Sequence, residues 1–401
     1  MLAALLIFVL TYAVIGIGRL PGLRLDRAGA ALVGASLMVA SGTLTLDEAY
    51  RAIDLDTIAL LLGMMIVVAN LRFAGFFQLA NAWIARHARH PLALLAGIAA
   101  ISGGLSAFLV NDTVCLMLTP LVAEAVVAMR RNPIPYLLCL AMASNIGSAA
   151  TITGNPQNII IGSLSHIPYA DFAAALAPVA AAGLVLAVAV LALAWRSEFL
   201  TRARLVGSVP RPRWNRGLLI EAFAVSIGMV VFFFLGQPPA KVAIVGGALL
   251  LLTRRIKPER IYREIDWSLL LLFAGLFIVV AGLEKAALGP AALAYAGRLR
   301  LDQPAVMALV AAVLSNLVSN VPAVLVLKPF VESLAEPRHA WLVLAMASTL
   351  AGNFSIPGSV ANLIVVQRAR RYGIEIGFWR YFSIGAPLTV MTIVLGVWML
   401  G

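Results

Sequence analysis

Apolar residues run along this chain in long blocks, broken by short polar or basic stretches. Blocks near 2–18, 28–44, 56–74, 135–165, 171–195, 217–236, 240–253, 267–283, 340–367 and 379–400 read as membrane-spanning helices. A bilayer core of about 30 Å takes roughly 20 helical residues to cross. Two further apolar segments, 91–129 and 304–334, read as helical hairpins. The pattern predicts an all-α polytopic membrane protein of about 10–12 membrane segments.

Two of the blocks are interrupted in the same way. LAMAS occurs at 140–144 and again at 344–348, each time leading into a polar, glycine-rich stretch. Irregular backbone at membrane depth is tolerated only where it lines a protected cavity, so each stretch predicts a broken helix, at 135–165 and 340–367. The repeat extends outward. Asp54 and Asp266 each open a span, and GMMIVVANL (63–71) answers GLFIVVAGL (275–283) at an offset of 212. GLSAFLVNDTVCLMLTPLV (104–122) answers VLSNLVSNVPAVLVLKPFV (313–331), which pairs Asn111 with Asn320. The expected organisation is scaffold helices at 1–53, a first repeat at 54–196, a basic loop with two linking helices at 197–265, and a second repeat at 266–401.

Composition agrees: 62% of residues are hydrophobic and 12% charged, more apolar surface than a water-facing globule could bury. The formal charge of +12 invites a nucleic-acid reading, but the basic residues sort by side. With the N-terminus outside, 23 of the 30 Lys and Arg fall in cytoplasmic segments and 6 outside, which is the positive-inside signal. The clusters concerned are Arg19, Arg24 and Arg27; Arg72 with Arg86 and Arg89; Arg130–Arg131; Arg196 to Arg216; Arg254 to Arg263; and Arg368 to Arg380. No nucleic-acid partner is expected, and membrane lipid is. This map puts Asp54 outside and Asp266 inside, so the repeats are inverted, and both termini lie outside. The basic runs flanking 91–129 suit a re-entrant hairpin or two full spans equally. Cys115, Cys139 and the four scattered histidines have no ligand spacing, so no transition metal is expected.

Chemistry is expected where the repeats lose their apolar character. SNIGSAATITGNPQN offers Ser144, Asn145, Thr151, Asn155 and Asn158, with Gly147, Gly154 and Pro156 to break the helix. Its counterpart offers Ser348, Thr349, Asn353, Ser359 and Asn362. A broken helix presents amides that suit an anionic oxygen, and its released carbonyls suit a sodium ion. Each such residue also has an ordinary reading as a helix-to-helix hydrogen bond. Asp112, at the tip of the first hairpin, is an ionisable group in a membrane segment and so a candidate for ion coupling. Its ordinary reading is a cap for a helix starting at Thr113. Its repeat partner is Val321, so an acid function would be one-sided. Lys328 in the second hairpin could contact an anion or snorkel to the surface.

VNDTVCLMLTP, SNIGSAATITGNPQNIIIG, SNVPAVLVL and STLAGN followed by GSVANLIVV together resemble the citrate transporter-like branch of the ion transporter superfamily, which includes arsenite permeases and divalent-anion/sodium symporters. The resemblance implies an elevator-type carrier, commonly a homodimer, in the bacterial cytoplasmic (inner) membrane. It places substrate and ion sites at Asn111, Asp112, Thr113, Ser144, Asn145, Gly147, Thr151, Gly154, Asn155 and Asn158, with Ser319, Asn320, Ser348, Thr349, Asn353, Ser359 and Asn362 from the second half. Divalent-anion symporters carry Ser-Asn-Thr at the hairpin tips, whereas this chain has Val-Asn-Asp-Thr and Val-Ser-Asn-Val, which leans toward the arsenite-permease side. Such permeases can work with a separate ATPase subunit.

The chain contains no HExxH, no paired membrane aspartates, no Gly-x-Ser-x-Gly with a matched histidine and no Walker loop, so neither an intramembrane enzyme nor an ATP-driven pump is expected. The expected function is secondary-active transport of a small anion or oxyacid, of arsenite, citrate/dicarboxylate or inorganic-anion type, driven by a proton or sodium gradient without a cofactor. The alternative is a sodium/proton antiporter with no organic substrate.

Overall fold

The computed structural model describes residues 2–17, 25–201, 204–205, 212–253, 255–287 and 300–401; Arg19, Arg24, Arg202, Arg211, Arg254 and Arg298 of the charge map lie outside them. The first half runs α1 (Leu2–Ile17), α2 (Arg27–Ala40), α3 (Leu46–Ala52), α4 (Leu55–Ala74), α5 (Phe76–His87), α6 (Pro91–Phe108), α7 (Asn111–Ala128), α8 (Pro133–Ser148), α9 (Pro156–Ser165) and α10 (Tyr169–Ala194). After α11 (Arg196–Phe199), the second half runs α12 (Arg216–Phe234), α13 (Pro239–Leu252), α14 (Pro258–Tyr262), α15 (Trp267–Ala287), α16 (Pro304–Val318), α17 (Asn320–Glu332), α18 (Pro337–Leu350), α19 (Val360–Arg370) and α20 (Phe378–Leu400). Every expected span is helical, with ends shifted by a few residues. Both LAMAS segments end in breaks, between α8 and α9 and between α18 and α19.

Equivalent sequence produces equivalent ends. The Asp54 carboxylate caps α4 by accepting from the Thr57 amide at 2.9 Å, and Asp266 does the same for Leu269 at 3.0 Å. Pro156 opens α9 at the position where a missing N–H costs nothing. Between the spans lie short helices that the apolar pattern did not announce, among them α3 and α5. α3 is closed by a Thr45/Glu48 capping box. The Lys285 ammonium, with the Thr45 backbone, holds the Glu48 carboxyl down at about 2.

The helices before residue 54 also obey the repeat, and they pack across it. α4 lies against α13 and α12, while its counterpart α15 lies against α2 and α1. The closest approaches are made by equivalent glycines: a Cβ on Gly63 would strike the Ala243 carbonyl, and one on Gly275 would strike the carbonyl of Ala31. Gly34 and Gly246, another equivalent pair, meet Thr11 and Met229 in the same way. Small residues let membrane helices approach until dispersion forces hold them, because lipid provides no hydrophobic drive between helices. Each half thereby clasps the other, and these six helices form one continuous scaffold wall.

The hairpins resolve an open point of topology. The tip between α6 and α7 meets the break after α8: Ser106 bonds Ser144 at 2.7 Å, Asn111 bonds Asn145 at 3.0 Å, and Thr151 donates to the Ala107 carbonyl. A tip at the depth of the break turns back part-way through the membrane, so the hairpin is re-entrant. Each half then crosses five times, an odd number, and the halves are inverted. The ion pairs fit this alternation. Lys285–Glu48 and Arg338–Asp171 join groups on one side; Arg131–Glu198, Arg255–Glu221 and Arg72–Glu264 join groups on the other.

The surface is apolar and the centre polar, the reverse of a water-soluble protein. Leu10, Val185 and Leu252 point outward, and Trp379 and Trp398 stand near the two ends of α20, where interfacial tryptophans belong. Asn145, Asn155, Asn158, Asn353 and Asn362 are almost wholly buried.

Gly63→Val and Gly275→Val should each lower the thermal unfolding temperature of the detergent-solubilised protein, by a similar amount, since overpacking costs about 1–3 kcal/mol. Gly228→Ala, at a position with no atom within 4 Å of the added Cβ, should leave it unchanged. Unequal losses at Gly63 and Gly275 would count against the symmetric clasp.

Candidate functional site

A helix broken at membrane depth leaves backbone groups unpaired where no water can reach them, each at a cost of several kcal/mol. Here side chains take them up, and the solution is the same in both copies. Asn158 in α9 turns its Nδ2 back to the carbonyls of Ser148 (3.2 Å) and Thr151 (3.0 Å). Its equivalent Asn362 in α19 does so to Gly352 (2.7 Å) and Ser355 (3.1 Å). Asn155 caps α9 through Asn158 N at 2.9 Å, and Ser359 caps α19 through Ala361 N at 3.2 Å. The carbonyls considered for sodium are therefore already engaged by amide donors, and an ion there would use their second lone pair or compete with Asn158 and Asn362.

The two breaks also lock into one another. Asn145, directly after the first LAMAS, donates to Asn362 Oδ1 (3.0 Å) and Asn353 Oδ1 (2.9 Å) and accepts from Ser359 Oγ (3.0 Å). Thr349, its equivalent, donates to Asn158 Oδ1 (3.3 Å) and accepts from Asn155 Nδ2 (3.2 Å) and Gln157 Nε2 (3.1 Å). Each half thus completes the other's broken helix.

In front of this network a cavity of about 70 Å³ opens where both hairpin tips and the starts of α9 and α19 face the scaffold. Asn111 and Asp112 line it from the first tip and Ser319 and Asn320 from the second, with Gln157 and Ser359 behind. Ile15, Arg27, Leu272 and Phe273 of the scaffold close it. The buried oxygens Asn111 Oδ1 and Asn320 Oδ1 meet no donor among the described residues. Ser319 holds a left-handed backbone, φ 79°, a strained conformation of the kind that gathers at ligand sites.

The structure thus divides the expected residues into groups. Asn111, Asp112, Ser319, Asn320 and Ser359 reach the cavity. Ser144, Asn145, Thr151, Asn155, Asn158, Thr349, Asn353 and Asn362 form the supporting network. Gly147 and Gly154 are packing residues, their missing side chains making room for Gly103 and for the Ser148 carbonyl. Ser348 bonds only within its helix, to Ala345 O at 3.3 Å. Thr113 lies in the first turn of α7 but does not line the cavity. Lys328 does not line the cavity; its ammonium pairs with Glu284 at 3.4 Å. Asp112 does not cap the helix either, for α7 starts at Asn111 with Val110 in the cap position. It lines the cavity instead.

Three contributors were not singled out by sequence. Ser106 could have been found from its repeat partner Ser315, since both stand in the aligned hairpin segments. Gln157 stood in view within NPQN. Arg27 was counted only as loop charge, and nothing local distinguishes it; its place on the cavity wall is a product of tertiary packing.

Asn145→Ala would strand Asn353 Oδ1, Asn362 Oδ1 and the Asn111 amide together. It should destabilise the protein by roughly 3–9 kcal/mol, at about 1–3 kcal/mol for each of three unsatisfied buried groups. Ser348→Ala should change stability by less than about 0.5 kcal/mol. Chemical denaturation of the purified protein checks both, and a tolerant Asn145 would remove it from the lock.

The geometry can now be compared with known proteins. The family model described as citrate transporter matches residues 5–351. A silicon efflux transporter of rice, Oryza sativa subsp. japonica, is 29% identical over 95% of this chain and 93% of its own length. An uncharacterised transporter of Mycobacterium tuberculosis is 32% identical over 98% and 96%. The YdaH transporter of Alcanivorax borkumensis, whose crystal structure was described as having an unusual topology, superimposes with a TM-score of 0.58 at 15% identity, covering 100% of this chain and 96% of its own; at that identity it supports the fold alone. With its all-helical, twice-broken architecture and a family match over most of its length, the chain is an integral membrane protein belonging to the citrate transporter family.

Proposed function

We propose that the protein is a secondary-active transporter of a small oxyacid or inorganic anion, bound between the two hairpin tips and coupled to a proton or sodium gradient through Asp112. The observation that carries this reading is the cavity itself. One water needs roughly 10–15 Å³ of open space, so a cavity of about 70 Å³ has room for a compact oxyacid. The donors and acceptors around it are amides, hydroxyls and one carboxylate from the hairpin tips and broken helices, with the Arg27 guanidinium from the scaffold. The silicon efflux role of the rice relative is of the same chemical kind.

Alternating access is supported by a second cavity, of about 380 Å³, on the opposite face of the scaffold. It is walled by Leu60 and Pro239, the repeat equivalents of Leu272 and Arg27 in the first cavity. The scaffold thus carries two equivalent docking walls near opposite faces, and only one is occupied by the tips. Sliding the hairpins and broken helices from one wall to the other would carry a bound molecule across. On the charge map, the form described here has its site toward the cytoplasm, with both termini outside and a homodimer as the working unit.

Uptake into proteoliposomes under proton and sodium gradients, with arsenite, phosphate, sulfate, succinate and citrate as probes, tests the assignment. Saturable, gradient-driven uptake of a small oxyacid is expected, and Asp112→Asn should reduce accumulation to background while leaving the unfolding temperature nearly unchanged. Ion exchange that needs none of the probes would instead make the protein a sodium/proton antiporter. Orientation is checked separately: with the buried Cys115 and Cys139 unreactive, Glu336→Cys should react with an impermeant maleimide from outside the cell and Glu259→Cys only after permeabilisation. The reverse pattern would invert the map.

A further inference from the structure

The two halves match at position after position, and two of their charged mismatches line one cavity. Asp112 corresponds to Val321, and Arg27 corresponds to Pro239. Both charges line the same cavity, Asp112 from the first hairpin tip and Arg27 from the scaffold. No ion pair closes between them, and Arg27 is in none of the ion pairs among the described residues. The neighbouring Asp26 is no substitute, since its carboxylate caps α2 by accepting from Gly29 N at 2.8 Å. The charge that acts on Asp112 is the carboxylate of Asp266, at the start of α15.

We propose that Arg27 and Asp112 act across the cavity as a filter that reads the protonation of the substrate. The argument rests on the reading of this cavity as an oxyacid site. The Asp112 carboxylate lines the cavity as an acceptor, and beside it stand Asn111 and Asn320, whose buried Oδ1 atoms have no donor among the described residues. A ligand satisfies them only by bringing O–H groups. Arg27 offers N–H donors and positive charge, which suit a bare oxygen on the far side of the same molecule. The selected ligand therefore has hydroxyls on one side and an accepting oxygen on the other. An anion of the same size without a proton meets Asp112 as a like charge and leaves the asparagine oxygens unpaired. Arg27 belongs to the scaffold, so its contact exists only at this wall; at the opposite wall its equivalent is Pro239.

Equilibrium binding to the full-length protein in lipid nanodiscs at neutral pH tests the filter, with inorganic phosphate (charged, with hydroxyl), arsenite (neutral, hydroxyls only) and sulfate (charged, no hydroxyl). One charge-assisted hydrogen bond is worth about tenfold in affinity or more. The wild type should bind phosphate and arsenite and hold sulfate at least about tenfold more weakly. Arg27→Gln should weaken phosphate by about tenfold or more and arsenite by no more than about threefold, with Arg27→Lys restoring phosphate. Asp112→Asn should tighten sulfate, a gain that a damaged fold would not produce. Equal wild-type affinity for phosphate and sulfate overturns the filter, as does equal loss of phosphate and arsenite in Arg27→Gln. If the wild type binds none of the three probes, the oxyacid reading itself fails, and the filter with it.

Discussion

Everything in this molecule depends on satisfying the backbone where two helices break inside the membrane. Asn158 and Asn362 take the freed carbonyls, and Asn155 and Ser359 take the freed amides. Because Asn145 and Thr349 then bond the opposite half's residues, neither break is complete alone. The re-entrant hairpins press their tips against these same residues. The site is therefore a consequence of the solution to a solvation problem: polar groups needed to close the breaks are already gathered at membrane depth, and the cavity opens beside them.

Much of this was legible in the sequence because the signals were local or repeated. Apolar length located the spans, LAMAS located the breaks, and Asn111 and Asn320 marked the hairpin tips. Glycines were visible as breakers, but their roles were not, since Gly147 admits Gly103 and Gly63 admits Ala243, contacts between residues distant in the chain. Lys328 looked like an anion contact only because its partner Glu284 lies on another element. Asp112 looked like a cap because one strand of sequence cannot show that α7 begins at Asn111. Arg27 was hidden for the same reason: its position in a basic loop matched the side-of-membrane signal completely, and only the fold brings it to the tips.

The clasp of the scaffold has a mechanical meaning. α4 on α13 and α15 on α2 bury glycine against carbonyl at both crossings, a contact that tolerates neither sliding nor an added methyl. The surfaces between the scaffold and the hairpins and broken helices differ: cavities interrupt them, one of about 70 Å³ at the hairpin tips and one of about 380 Å³ against α9 and the start of α10. Rigid packing on one side of a boundary and incomplete packing across it is what a moving part against a fixed frame requires.

Symmetry and its violations then divide the labour. Residues that obey the repeat, from Asp54 and Asp266 to Asn158 and Asn362, build structure that works equally well in either orientation, so the two end states can lie close in energy. A perfectly symmetric carrier would bind its cargo identically at both faces. Asp112 and Arg27 break the equivalence, one on a hairpin tip and one on the scaffold, so in the proposed alternating-access cycle translation would change the field around a bound molecule. A ligand gains or loses affinity on crossing only through such differential contacts. The asymmetric charges are thus where coupling and selectivity can reside, while the symmetric network around them supplies two states for them to act upon.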